Sequence, residues 1–96
     1  MPEAYLTQSP RTAWRVYDGE AVLLCPDDST LNTLNAVGTL IWEAADGKTP
    51  VSTIVARICE DFDVDPERAE QDTMAFIEKL RERGLLTVSA TVQQTL

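Results

Sequence analysis

Residues 30–47 read TLNTLNAVGTLIWEAADG, and within them the apolar spacing changes from two to nearly four. A last strand gives way there to a first helix. Asn35 stands at the change, where an Asn side-chain oxygen can accept a hydrogen bond from an unpaired amide of the first turn. Beyond it Gly38, Ile41, Trp42 and Ala45 recur at the three-four spacing of one helical face. Asp46-Gly47 supplies the stop, since Gly tolerates the left-handed conformation of helix ends.

On the N-terminal side, Ala13 to Tyr17, then Asp18-Gly19, then Glu20 to Cys25 form a hairpin signal. Asp-Gly supports the positive φ angles of a two-residue type I′ turn. That turn pairs Tyr17 with Glu20, Arg15 with Val22 and Trp14 with Leu23. One face then collects Trp14, Val16, Ala21, Leu23 and Cys25 and is expected to meet the core; the other holds Arg15, Tyr17 and Glu20 with Val22 and Leu24. Pro26-Asp27-Asp28-Ser29 is turn chemistry. A third strand, Thr30 to Leu34, follows as the last of a meander, so it is expected at an edge with unpaired backbone groups.

On the C-terminal side, Thr49 reads as a cap with Pro50 at the first helical position, ahead of a stripe of Val51, Ile54, Val55, Ile58 and Phe62. Asp63 to Asp65 breaks that helix, and Asp65-Pro66-Glu67 opens a third. Its inward stripe is Ala69, Thr73, Phe76, Ile77 and Leu80, its last turns carry Lys79, Arg81 and Arg83, and Gly84 closes it. One flank carries Arg68, Asp72, Ala75 and Lys79, the other Glu70, Met74 and Arg81. Leu85 to Val88 is expected to pack back on the core. The expected architecture is α+β and winged helix-turn-helix-like: a three-stranded antiparallel sheet followed by three helices. Residues 1–12 read as an extended, partly disordered lead-in, 13–88 as the domain, and 89–96 as a flexible tail.

Ninety-six residues support one modest core. Eight Lys and Arg against sixteen Asp and Glu give a net charge of −8, a field that repels phosphate backbones and anionic membranes. A basic partner fits that field better than nucleic acid. No apolar run is long enough to span a membrane and the N-terminus lacks the layout of a secretory signal, so a cytoplasmic location is expected, with no membrane or nucleic-acid partner.

Catalytic chemistry has little to stand on. There is no His, and Cys25 and Cys59 are far apart and read as core fillers, so neither metal ligation nor a thiol-imidazole pair is expected. Ser29, Ser52 and Ser89 have no His to activate them. Four singly scattered glycines make no phosphate-cradling loop, and Glu60, Asp61, Asp63 and Asp65 read as a solvated acidic turn. The expectation is no enzyme and no cofactor. An acidic winged-helix regulator or protein-interaction module is the alternative that composition leaves open, as is a module that oligomerises through its edge strand.

Leu34-Asn35, Gly38, Ile41-Trp42-Glu43, Asp46-Gly47, Ile54, Phe62, Val64-Asp65, Asp72, Phe76-Ile77, Leu80 and Gly84-Leu85 together resemble the PqqD-like family of peptide-recognition domains, over residues 14–86. The resemblance implies a peptide chaperone that binds the leader of a ribosomally made precursor and presents it to a modifying enzyme, of the radical S-adenosylmethionine type or another maturase. It further implies that the leader adds as a strand to the third strand of the sheet, its apolar side chains entering a groove against the third helix. Carried onto this chain, the peptide-binding residues are Ser29, Thr30, Leu31, Asn32, Thr33 and Leu34 with Arg68, Asp72, Ala75 and Lys79; Met74 marks the opposite flank. Gly84-Leu85 stands where PqqD proper has Gly-Trp, which resembles the generic branch of a domain that serves many peptide pathways.

Overall fold

A computed structural model describes residues 4–25 and 29–90. The Pro26-Asp27-Asp28 part of the expected turn and residues 91–96 of the expected tail lie outside the described residues. The protein is mixed α+β, with strands β1 (Tyr5–Gln8), β2 (Ala13–Tyr17), β3 (Glu20–Leu24) and β4 (Leu31–Thr33) preceding helix α1 (Ala36–Glu43). Strand β5 (Asp46–Pro50), helices α2 (Val51–Phe62) and α3 (Pro66–Glu82), and strand β6 (Leu86–Ser89) complete it.

The hairpin has the register that its Asp-Gly turn dictates: Tyr17 faces Glu20, Arg15 faces Val22 and Trp14 faces Leu23. Asp18 and Gly19 both take positive φ, as a type I′ turn requires. β4 pairs with β3 through Val22 with Thr33, Leu23 with Asn32 and Leu24 with Leu31, giving the antiparallel order β2-β3-β4. The expected buried face is only partly buried. Ala21, Leu23 and Cys25 are in the core, but Trp14 and Val16 are 36% and 42% exposed. β3 is the strand against which α1 packs, so β2 overhangs the core, and Trp14 leans edge-on against Trp42 with ring centroids 5.9 Å apart.

A second sheet, β5-β1-β6, replaces two expected irregular segments. The lead-in supplies its central strand: Tyr5–Gln8 pairs antiparallel with both neighbours, and Leu6 is fully buried. Ser89, assigned to the tail, pairs with Tyr5. These pairs join residues about forty (β1 with β5) and about eighty (β1 with β6) positions apart, which no local pattern reports. β1 also reaches the helix ends: its Gln8 side chain donates to the Trp42 carbonyl at 2.8 Å, Val51 N–H donates to Ala4 C=O, and Ser9 N–H to Leu85 C=O.

The helix boundaries follow from the same strand. α1 ends at Glu43, short of the expected stop, because Asp46–Pro50 is drawn into the sheet beside β1. Thr49 does not cap α2; its hydroxyl donates to Asp46 Oδ2 at 3.1 Å, and Pro50 precedes the helix with no side-chain cap. Asp65 stands at the N-cap position of α3 but likewise makes no side-chain cap bond, whereas Asn35 and Gly84 act as expected. Asn35 Oδ1 accepts from Gly38 N–H at 2.8 Å, and Pro66 occupies the first turn of α3. Gly84 takes a φ of 73°, letting Leu85 N–H close back on Leu80 C=O at 2.9 Å. That reversal sends Leu85 and Leu86 into the core.

Candidate functional site

The site is assembled on β4, an edge strand of its sheet. Cys25 N–H donates to Thr30 C=O at 2.9 Å and Leu34 N–H donates to Ala21 C=O at 2.8 Å. In an antiparallel ladder the bonded residues alternate, so Thr30, Asn32 and Leu34 turn their backbone groups toward β3. The amides and carbonyls of Leu31 and Thr33 therefore point away from it, along the open edge. One added strand would find two residues' worth of unpaired backbone in a row.

The flanks of the edge differ. Leu31 is 66% exposed and lies on the outer sheet face with Leu24 and Val22. A hollow of about 330 Å³ on that face is lined by these three with Ala13, Arg15 and Tyr17, and Trp14 at its rim. Asn32 points to the opposite side, where it is half-buried. Its Nδ2 donates to Cys25 Sγ at 3.2 Å, and its Oδ1 accepts from Arg83 Nη1, just past the end of α3. Arg83 thus ties the end of α3 to the edge strand.

Of the expected strand residues, Leu31, Asn32 and Thr33 form β4. Ser29 is a turn residue with a φ of 58°, its N–H bonded to Cys25 C=O at 3.0 Å. Leu34 is buried and belongs to the core beneath the edge. On α3, Ala69, Thr73, Ile77 and Leu80 face inward. Phe76 lies to one side of that stripe, against the start of α1: a side chain at Gly38 would meet its ring at 2.9 Å. At 100° per residue Asp72, Lys79 and Arg83 follow Phe76 around the helix, with Arg68 and Ala75 beyond them. Met74 lies on the opposite flank and is half exposed. The flank holding Asp72 and Lys79 is therefore the one that continues from the Phe76 and Arg83 contacts. Arg68 and Asp72 form an exposed pair at 3.5 Å.

Arg83 is the residue that sequence reasoning assigned only to the helix dipole. Its bond spans fifty-one positions, and the only local signal was a cation placed after the last inward Leu. Among the described residues no three Asp, Glu or Cys side chains are grouped closely enough to hold a metal ion. No described helix is long and apolar enough to cross a membrane.

The family model described as coenzyme PQQ synthesis protein D (PqqD) matches residues 20–86. The fold is similar to that of TbiB1, solved in complex with the TbiA(beta) leader peptide: 31% identity, 83% of this chain and 93% of that chain covered, TM-score 0.75. It is also similar to a lasso peptide synthetase B1 complexed with its leader peptide, at 23% identity, 85% and 96% coverage and a TM-score of 0.73, a likeness of fold alone. No curated protein matches the chain.

Proposed function

The chain belongs to the PqqD family, and we propose that it is a non-catalytic peptide chaperone that binds the leader of a ribosomally made precursor by strand addition to β4. The observation that carries the reading is the pair Leu31 and Thr33, whose backbone groups face an open edge beside an exposed helix flank. Its relation to TbiB1, which is known with a leader peptide bound, supports the same partner class.

The added strand takes its affinity from main-chain hydrogen bonds and its selectivity from alternate side chains. Peptide residues opposite Leu31 and Thr33 lie over the outer apolar hollow, the face away from the helix groove that the family resemblance implies for apolar side chains; the residue opposite Asn32 turns toward α3. Arg68, Asp72, Ala75 and Lys79 form the far wall of the groove, while Ser29, Thr30 and Leu34 hold β4 in place rather than bond the peptide directly. A modifying enzyme of the radical S-adenosylmethionine type or another maturase then acts on the bound precursor, the domain supplying position and no reacting group.

Two proline variants test the mechanism. Thr33→Pro removes an amide that faces the open edge, so it should weaken leader binding at least tenfold while leaving the β3–β4 ladder in place. Asn32→Pro removes an amide bonded to β3 and should destabilise the fold. Unchanged leader affinity in a folded Thr33→Pro variant would defeat strand addition at β4.

A further inference from the structure

We propose that Arg83 reads a carboxylate: it receives the side chain of an Asp or Glu that the bound peptide carries opposite Asn32. The inference rests on the strand-addition reading above. Arg83 is exposed and commits one donor to Asn32 Oδ1. Asn32 is itself oriented, because its Nδ2 is held by the sulfur of buried Cys25. The guanidinium is thereby fixed beside the open edge with donors remaining from its planar fork, the geometry that takes a carboxylate in two parallel bonds.

Nothing in the described protein neutralises that charge. The ion pairs of α3 among the described residues are Arg68 with Asp72 and Arg81 with Glu78, and neither Arg83 nor Lys79 has a described carboxylate within 4 Å. Asp72 shares the flank but lies eleven residues up the helix, about 16 Å along its axis. Lys79, one turn from Arg83, adds a second cation to the same flank. Of the cations of this helix end, Arg83 is the one bonded to the edge strand.

The register follows from the ladder. Leu31 and Thr33 would bond the added strand, so the position opposite Asn32 is the non-hydrogen-bonded one, whose side chains approach more closely. It emerges on Asn32's face, toward α3, whereas both of its neighbours emerge over the outer hollow. The peptide signature is therefore apolar, acidic, apolar. The acidic residue acts as a register mark: a slip of one position would carry the carboxylate away from Arg83 to the outer hollow, whose lining is apolar apart from Arg15 and Tyr17.

The test is a selection of random linear twelve-residue peptides displayed against the full chain and against Arg83→Glu, followed by fluorescence anisotropy on the selected peptides. Wild type should select Asp or Glu at one fixed position between apolar neighbours. Replacing that residue by its amide should weaken binding about fivefold in wild type and less than twofold in Arg83→Gln. Arg83→Glu should instead select Lys or Arg at the same position, and Arg83→Lys should keep part of the effect. Peptides whose binding depends on Thr33 but that carry no acidic preference would overturn the role of Arg83 and leave strand addition standing. Recovery of no peptide sensitive to Thr33→Pro would overturn both.

Discussion

Thr39 joins the helix to the sheet. Its buried hydroxyl accepts the Ala21 N–H at 2.8 Å and lies 3.4 Å from the Leu34 carbonyl to which it donates, so β3, the β4 junction and α1 share one side chain. Thr39→Val keeps the shape and orphans the Ala21 amide in the core. The expected loss is about 2 kcal/mol, read as a lower denaturant midpoint with an unchanged slope. Asp46 tests a polar turn. Its carboxyl is held below the ordinary value of 3.8 chiefly by the Lys48 backbone N–H, with the Thr49 amide and hydroxyl assisting against a desolvation penalty. A depressed carboxyl stabilises the fold above its unfolded pKa, and that contribution disappears as pH falls through the lower folded value. Asp46→Asn should cost less than about 1 kcal/mol at pH 7, and thermal melts should show the gap to wild type closing below about pH 4. A constant gap would mean that the charge is irrelevant. Asn35 was legible in sequence because its partner, Gly38, is three residues away. Thr39 and Arg83 were not, because their partners lie eighteen and fifty-one positions off.

The strands and helices divide along the same line. The hairpin and its register were readable because a two-residue Asp-Gly turn fixes every cross-strand pair that follows. The second sheet was not, since β5 consists of Asp, Gly, Lys, Thr and Pro and gains its strand character only from β1. Thr49 shows the competition directly: a residue suited to capping α2 is occupied by Asp46 instead. On the site, the edge position of β4 and the inward stripe of α3 followed from pattern, whereas the shortening of the strand to Leu31–Thr33 required the Ser29 turn to be seen. The approach of α1 to α3 is set at Gly38, where an added Cβ would stand 2.9 Å from Phe76 and 3.3 Å from Leu34. Gly38→Val combines that overlap with poorer helix propensity and should destabilise the domain by about 2–3 kcal/mol. Because Phe76 borders the site flank, its ring resonances should shift as well.

Across the protein, β1 links what the two ends of the sequence contribute. Leu6 is fully buried between β5 and β6, and the bonds from Ala4, Gln8 and Ser9 reach α2, α1 and the end of α3. Residues 4–12 are thus no detachable lead-in. Leu6→Ala should lower stability by about 3 kcal/mol in a single cooperative transition, and a melt in which the β2-β3-β4 sheet keeps its stability would show the two sheets to be independent. The open edge of β4 and the α3 flank beside Arg83 are where the proposed peptide site lies. The most direct measurement is an amide NMR titration of the labelled domain with leader peptides encoded by short reading frames beside its gene. Strand addition predicts downfield shifts of the Leu31 and Thr33 amides, smaller changes at Asn32, and perturbation along Asp72, Lys79 and Arg83. Shifts confined to another surface, or none with any such peptide, would contradict it.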